Sequence, residues 1–224
     1  MNVLLLEYDL YRSVGGGQTV YKRLIAGNPD IRFHYLGRKE APDAERPPNA
    51  VRVPLQGVYQ ARDLTGEFSD PSMPIWAFND FVDASNIAAS VAHLQLDVVD
   101  CPDYRAHGYF LAPALARHGQ KACRIALALH GNLSETQKVN WTPGVDLSAD
   151  QREQWQYGTA DIRYGLSRDY LEHWEKIGRR EASYLDPLRF LPPPQLAPRR
   201  AGLKGVALNF IGRAEGCKGP DLFL

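Results

Sequence analysis

Cysteine is scarce in this chain of 224 residues, with Cys101, Cys123 and Cys217 the only three. An odd number at wide spacing, with no CxxC and no histidine nearby in a zinc pattern, excludes a disulfide framework and a zinc ribbon and points to a reducing compartment. Long hydrophobic runs are missing too. The stretch VLLL at residues 3–6 is too short for a signal h-region and is followed at once by Glu7 and Asp9. No stretch approaches the ~18 apolar residues a membrane-crossing helix needs, so a cytoplasmic protein is expected. Charge of one sign is also lacking. The 26 Lys and Arg residues balance 26 Asp and Glu, with no run of five like charges, and no net field draws the chain to nucleic acid. None of the six histidines sits in an HExxH or similar spacing, so neither a metal nor a resident cofactor is expected.

What is present is an alternation. Segments of buried-strand character (NVLLLEYDL, IRFHYLG, AVRVPL, LDVVDC, RIALALHG) are interleaved with amphipathic ones (QTVYKRLIAG, FNDFVDASNIAASVAHLQ, HGYFLAPALARHG). That rhythm predicts an α/β fold, a doubly wound, Rossmann-like parallel sheet with helices on both faces. The apolar spacing of Phe78, Phe81, Val82, Ile87, Ala88, Val91 and Leu94 predicts a helix from about Trp76 to Leu94. Ser148 and Gln151 have capping-box spacing ahead of a helix carrying Trp155 and Tyr157, and Ser167 is placed to cap the helix RDYLEHWEKIG after the short strand DIRYGL. Four prolines, Pro192, Pro193, Pro194 and Pro198, then break the pattern. The chain therefore divides into a domain at 1–191, a proline-rich linker at 192–204, and at 205–224 a fresh strand, LNFIG, opening into a basic loop.

Four places could carry chemistry. Gly15, Gly16 and Gly17 join the first strand to the first helix, where backbone amides at a helix N-terminus can meet a ligand. A turn needing positive φ would explain one glycine well and three poorly. Val20 stands where the dinucleotide fingerprint needs its third glycine. The segment VVDCPDYRAHG offers Asp100, Asp103, Tyr104, Arg105 and His107 at the carboxyl end of another strand, a set suited to a hydroxyl-rich ligand; the plainer reading is that the two aspartates cap the next helix. His130 closes the buried strand RIALAL, where an imidazole can donate to an oxyanion or hold a sugar hydroxyl. Arg213 and Lys218, in GRAEGCKG, present a fork and a point charge such as two adjacent phosphates require.

Taken in order, these places resemble the family 4 retaining glycosyltransferases, whose GT-B fold sets two Rossmann-like domains across a cleft. Gly16 and Gly17 resemble that family's glycine-rich loop, whose amides face the donor diphosphate or the acceptor. His130 resembles its sugar-contacting, catalytic histidine, and SRDY at 167–170, with Ser167, its Ser-plus-aromatic segment. Arg213 and Lys218 resemble the pair that clamps the donor phosphates, and Asp100, Asp103 and Tyr104 fall where the acceptor or sugar would bind. The resemblance implies transfer of a sugar from a nucleotide-diphosphate sugar to a carbohydrate or glycoconjugate acceptor, with retention and without a metal. It also implies that residues 1–191 are the acceptor-side half, inactive without a C-terminal donor-binding domain. Two departures are DPLRFLPPP, in place of the usual asparagine-glycine segment, and Gly216 and Cys217, where proline and glutamate are common. Members that use lipid acceptors touch membranes peripherally, but here the helix from Arg168 mixes acids with bases.

Two other readings share the alternation. A nucleotide-dependent oxidoreductase is disfavoured by Val20 and by the basic end of IRFHYLGRK, where an acid would be expected. A non-catalytic carbohydrate- or nucleotide-binding module, or a subunit completed by a separate chain, predicts binding without transfer.

Overall fold

A computed structural model of the chain describes residues 1–12, 15–38, 46–67, 77–104, 106–139, 148–186 and 189. The linker and the strand and loop at 205–224 lie outside those residues, as do Trp76, Arg105, Arg213, Lys218, Gly216 and Cys217.

Among the described residues, seven strands form one all-parallel sheet: β1 (Asn2–Tyr8), β2 (Arg32–Gly37), β3 (Ala50–Pro54), β4 (Val98–Pro102), β5 (Arg124–Leu129), β6 (Ile162–Gly165) and β7 (Ser183–Tyr184). Their order across the sheet is β3-β2-β1-β4-β5-β6-β7. The helices are α1 (Gly16–Gly27), α2 (Ala61–Leu64), α3 (Ala77–Ser90), α4 (His107–Arg117), α5 (Leu133–Val139), α6 (Ala149–Thr159) and α7 (Arg168–Gly178). This is the doubly wound, Rossmann-like α/β arrangement that the alternation predicted.

The continuous apolar run of β1 follows from burial on both faces. Val3 and Leu5 join Tyr21 and Ile25 of α1 in one core, together with Phe33 and Tyr35 of β2. Leu4 and Leu6 enter a second core with Phe81 and Ile87 of α3, Phe110 and Leu111 of α4, and Trp174 of α7. The chain leaves β1 toward β2 and β3, then returns to β4 on the other side of β1. The two halves of the sheet thus diverge at β1 and β4, and a crevice opens beyond their carboxyl ends.

Polar contacts set the helices on the second core. The buried Gln156 of α6 accepts from the Gly108 amide at 2.7 Å and donates to the Pro102 carbonyl at 2.9 Å. Asp80 of α3 accepts from the Ala106 amide and from Arg152, both at 3.1 Å. Asp80 therefore does at the start of α4 what neither Asp100 nor Asp103 does.

Two local expectations need correction. The third helix stops at Ser90, not near Leu94, because the chain tightens into turns with Ala92 bonding Ala89 and Leu94 bonding Val91. Ser148 makes no side-chain cap: its backbone is already helical (φ −85°, ψ −13°), which turns the hydroxyl away from the free amides. Ser167, extended at φ −124° and ψ 124°, does cap α7 and accepts from the Tyr170 amide at 3.4 Å. A capping box also forms between Gln60 and Asp63, ahead of α2, where none was predicted.

Candidate functional site

The crevice at the ends of β1, β4 and β5 collects most of the residues singled out in the sequence. Gly15 precedes α1 with extended backbone (φ 177°), and a Cβ there would meet the Gln18 side chain, which folds back to donate to Glu7 at 3.0 Å. Gly16 and Gly17 have no such reason. A Cβ on Gly16 would find nothing within 4 Å, and one on Gly17 only Glu7 Oε1 at 3.9 Å. Among the described residues, only Gly119 and Gly131 are glycines with positive φ, so the turn explanation covers neither Gly16 nor Gly17. Glu7 stands beside this turn, and burial raises its carboxyl above the ordinary value despite the Gln18 hydrogen bond.

Beneath the crevice lies a buried network. Asp100, expected to face the ligand, is buried in the sheet. It accepts from the Tyr21 hydroxyl of α1 at 2.7 Å and from the Tyr164 hydroxyl of β6. Burial outweighs those two hydrogen bonds, and with Glu7 nearby its pKa is pushed up to about 6. Tyr21 then points onward, its hydroxyl 3.4 Å from His130 Nε2 and its ring edge-on to the imidazole at 5.8 Å. His130 is open to solvent at the end of β5, yet crowding by protein on its inner side holds its pKa below the usual histidine value. Near pH 7 it is a neutral hydrogen-bonding group rather than a cation.

A second buried carboxylate fixes the backbone just after His130. Asp103 accepts from the Gly131 amide at 3.1 Å and from the Tyr170 hydroxyl at 2.6 Å; burial raises its pKa to about 6. Tyr170 in turn accepts from the Asn132 amide at 2.8 Å. Gly131 has φ 144°, a conformation L side chains rarely adopt, so glycine is needed there. The next turn is held by Glu153, which accepts from the Leu133 amide at 2.6 Å and from Ser134 Oγ at 2.7 Å; burial lifts its pKa to about 7.

Of the proposed ligand-facing residues, then, His130, Gly16 and Gly17 stand at the crevice, and Tyr104 is 40% exposed just beyond β4, in a separate hollow with Tyr8 and Arg38. Asp100 and Asp103 sit below the surface and bond to protein donors, and His107 is buried at the first turn of α4. Ser167 spends its hydroxyl on the helix cap. Among the described residues no group of three His, Cys, Asp or Glu side chains could hold a metal ion, and no helix is long and apolar enough to cross a membrane. The tyrosines that organise the site, Tyr21, Tyr164 and Tyr170, were not named as site residues. Only Tyr170 carried a signal, as the aromatic of the SRDY segment.

Asp100 yields a pH prediction. The folded carboxyl keeps its proton to about pH 6, whereas the ordinary value is 3.8. The native state therefore binds more protons between those values, and this group's contribution to stability falls as pH rises from about 4 to about 6. His34, lowered to about 4 by burial, acts oppositely in the same window. The comparison that isolates Asp100 is Asp100→Asn against the parent. The variant is expected to gain relative stability of roughly 2–3 kcal/mol between pH 4 and pH 7, read from urea melts at each pH. An unchanged difference across that range would show that Asp100 is ionised throughout.

No family model matches the chain, and no curated protein matches it.

Proposed function

We propose that residues 1–191 form the acceptor-side domain of a retaining glycosyltransferase, which moves a sugar from a nucleotide-diphosphate donor to an acceptor hydroxyl. One observation carries the reading: Gly16 and Gly17 have neither a steric nor a conformational need for glycine, and they open α1 one turn before Tyr21, the residue that faces His130. Residues kept bare at that point suit a ligand that approaches the backbone closely. His130 hydrogen-bonds the transferred sugar through its neutral ring, oriented by Tyr21 and by the Gly131 amide that Asp103 holds. Glu7 beside Gly17 makes the turn better suited to sugar hydroxyls than to a diphosphate. The diphosphate charge then falls to Arg213 and Lys218, which stabilise the leaving group in place of a metal.

A nucleotide-dependent oxidoreductase stays in view for one reason: the strand order is that of dinucleotide-binding sheets, and β2 is followed by Arg38, the kind of residue that meets a 2′-phosphate. The Glu7 carboxylate next to the glycine turn opposes a pyrophosphate there.

The test uses the chain joined to a complete donor-binding domain and supplied with a panel of nucleotide sugars and acceptors. Gly16→Ala is expected to leave the fold intact or stabilise it by up to ~1 kcal/mol, because alanine is the better helix former, while lowering sugar transfer. His130→Ala is expected to cost about 10–100-fold in transfer, the worth of one good hydrogen bond to the reacting sugar, with melting unchanged. Transfer unaffected by both substitutions would sink the proposal.

A further inference from the structure

A second hollow, of about 200 Å³, opens on the other side of β1 and is lined by Leu6, Tyr8, Arg38, Tyr104 and His107. Two of its polar groups make no side-chain hydrogen bond among the described residues. The Arg38 guanidinium sits over the Tyr8 ring, 3.8 Å from its centroid, and has no carboxylate partner among the described residues. The nearby acid, Asp9, accepts from the Arg38 backbone amide at 3.2 Å and faces the Arg52 guanidinium at 3.5 Å. His107 is buried, its side chain 4% exposed, and its Nε2 makes no hydrogen bond among the described residues; the closest acid is Asp83, at 3.6 Å. A buried imidazole nitrogen with a carboxylate only at 3.6 Å and no hydrogen bond of its own is costly at a hollow unless a ligand supplies a closer acceptor. Tyr104, 40% exposed, adds an aromatic face at the rim.

We propose that this hollow seats the anionic end of the acceptor, a carboxylate or phosphate carried on a sugar-sized ring, held by Arg38 and His107 Nε2 with the ring against Tyr104. The inference rests on the acceptor-side reading and gives it a substrate class. Arg38 is pre-oriented by stacking on Tyr8, so its fork is presented without loss of side-chain freedom on binding. The volume is below the roughly 300–1,000 Å³ of pockets for drug-sized ligands and suits one ring with its charged group rather than an extended glycan.

The 224-residue chain, Arg38→Gln and His107→Gln would be titrated calorimetrically with glucose, glucose 6-phosphate, glucuronate and reduced NADP. The expected result is that at least one acidic sugar binds the parent roughly 10–100-fold more tightly than glucose, the range of a charge-assisted hydrogen bond, and that Arg38→Gln erases the difference. His107→Gln should weaken the acidic sugar several-fold without affecting glucose. Which acidic sugar binds tells phosphate from carboxylate. Equal binding of glucose and both acidic sugars overturns the anion seat and leaves the acceptor-side reading standing. Binding of reduced NADP alone overturns both. No binding by either acidic sugar, with the variants folded by circular dichroism, also overturns the proposal.

Discussion

Trp174→Ala is expected to lower the stability of this domain by about 3–5 kcal/mol, enough to unfold a marginal domain at 37 °C. Trp174 is the largest fully buried side chain among the described residues. Its ring stacks on Tyr157 of α6 with centroids 4.9 Å apart and planes 16° from parallel, and it meets Tyr170 edge-on at 6.5 Å. Removing it opens a cavity between α6, α7 and the sheet that its neighbours cannot collapse into. Tyr157 is pinned by a hydrogen bond to the Arg180 carbonyl at 2.5 Å, and Arg163, whose guanidinium lies 5.1 Å from the centre of that ring, is tied to the Tyr157 and Ala160 carbonyls. Chemical denaturation read by far-UV circular dichroism measures the change. A loss below ~1 kcal/mol would show that the aromatic stack contributes little and that α7 docks by other contacts.

Tyr170→Phe is expected to cost about 2–4 kcal/mol for the loss of a single oxygen, because that oxygen serves two buried partners. It donates to Asp103 and accepts from the Asn132 amide, so the variant leaves a buried carboxylate short of a donor and a buried amide short of an acceptor. The effect is not confined to stability. Asp103 and Asn132 bracket Gly131, and Gly131 follows His130. Loosening that turn frees the imidazole from the orientation Tyr21 and the backbone give it. In the chain joined to a donor domain, sugar transfer should therefore fall more than folding at 25 °C accounts for. With the donor hydrogen bond gone, Asp103 should also hold its proton to a higher pH than its present value of about 6. A variant that keeps parental stability and transfer would show that Asp103 is satisfied without Tyr170.

How much of this was legible in the sequence differs by level. The parallel sheet was legible because strands buried on both faces read as apolar runs, as Val3–Leu6 of β1 and Ile125–Leu129 of β5 do; helix periodicity located α3 to within a few residues. The glycine turn and His130 were legible because the carboxyl ends of such strands form the crevice in any doubly wound sheet. The role of Asp100 was not. Its carboxylate side chain and its place near the end of β4 argue for exposure, and only the packing of α1 and β6 puts the Tyr21 and Tyr164 hydroxyls above it and turns a candidate ligand into a buried anchor. Asp103 and Tyr170 lie 67 positions apart and meet because α7 folds back against β6. The His107 nitrogen that makes no hydrogen bond and the Arg38 set over Tyr8 belong to the same class: they depend on three separate strand ends arriving together, a proximity that no local pattern encodes. Local residue spacing thus determined which elements form and where their ends lie, since burial periodicity is a property of neighbours along the chain. Which polar groups pair across those ends was decided by tertiary structure alone, because desolvation acts on whatever the fold brings together.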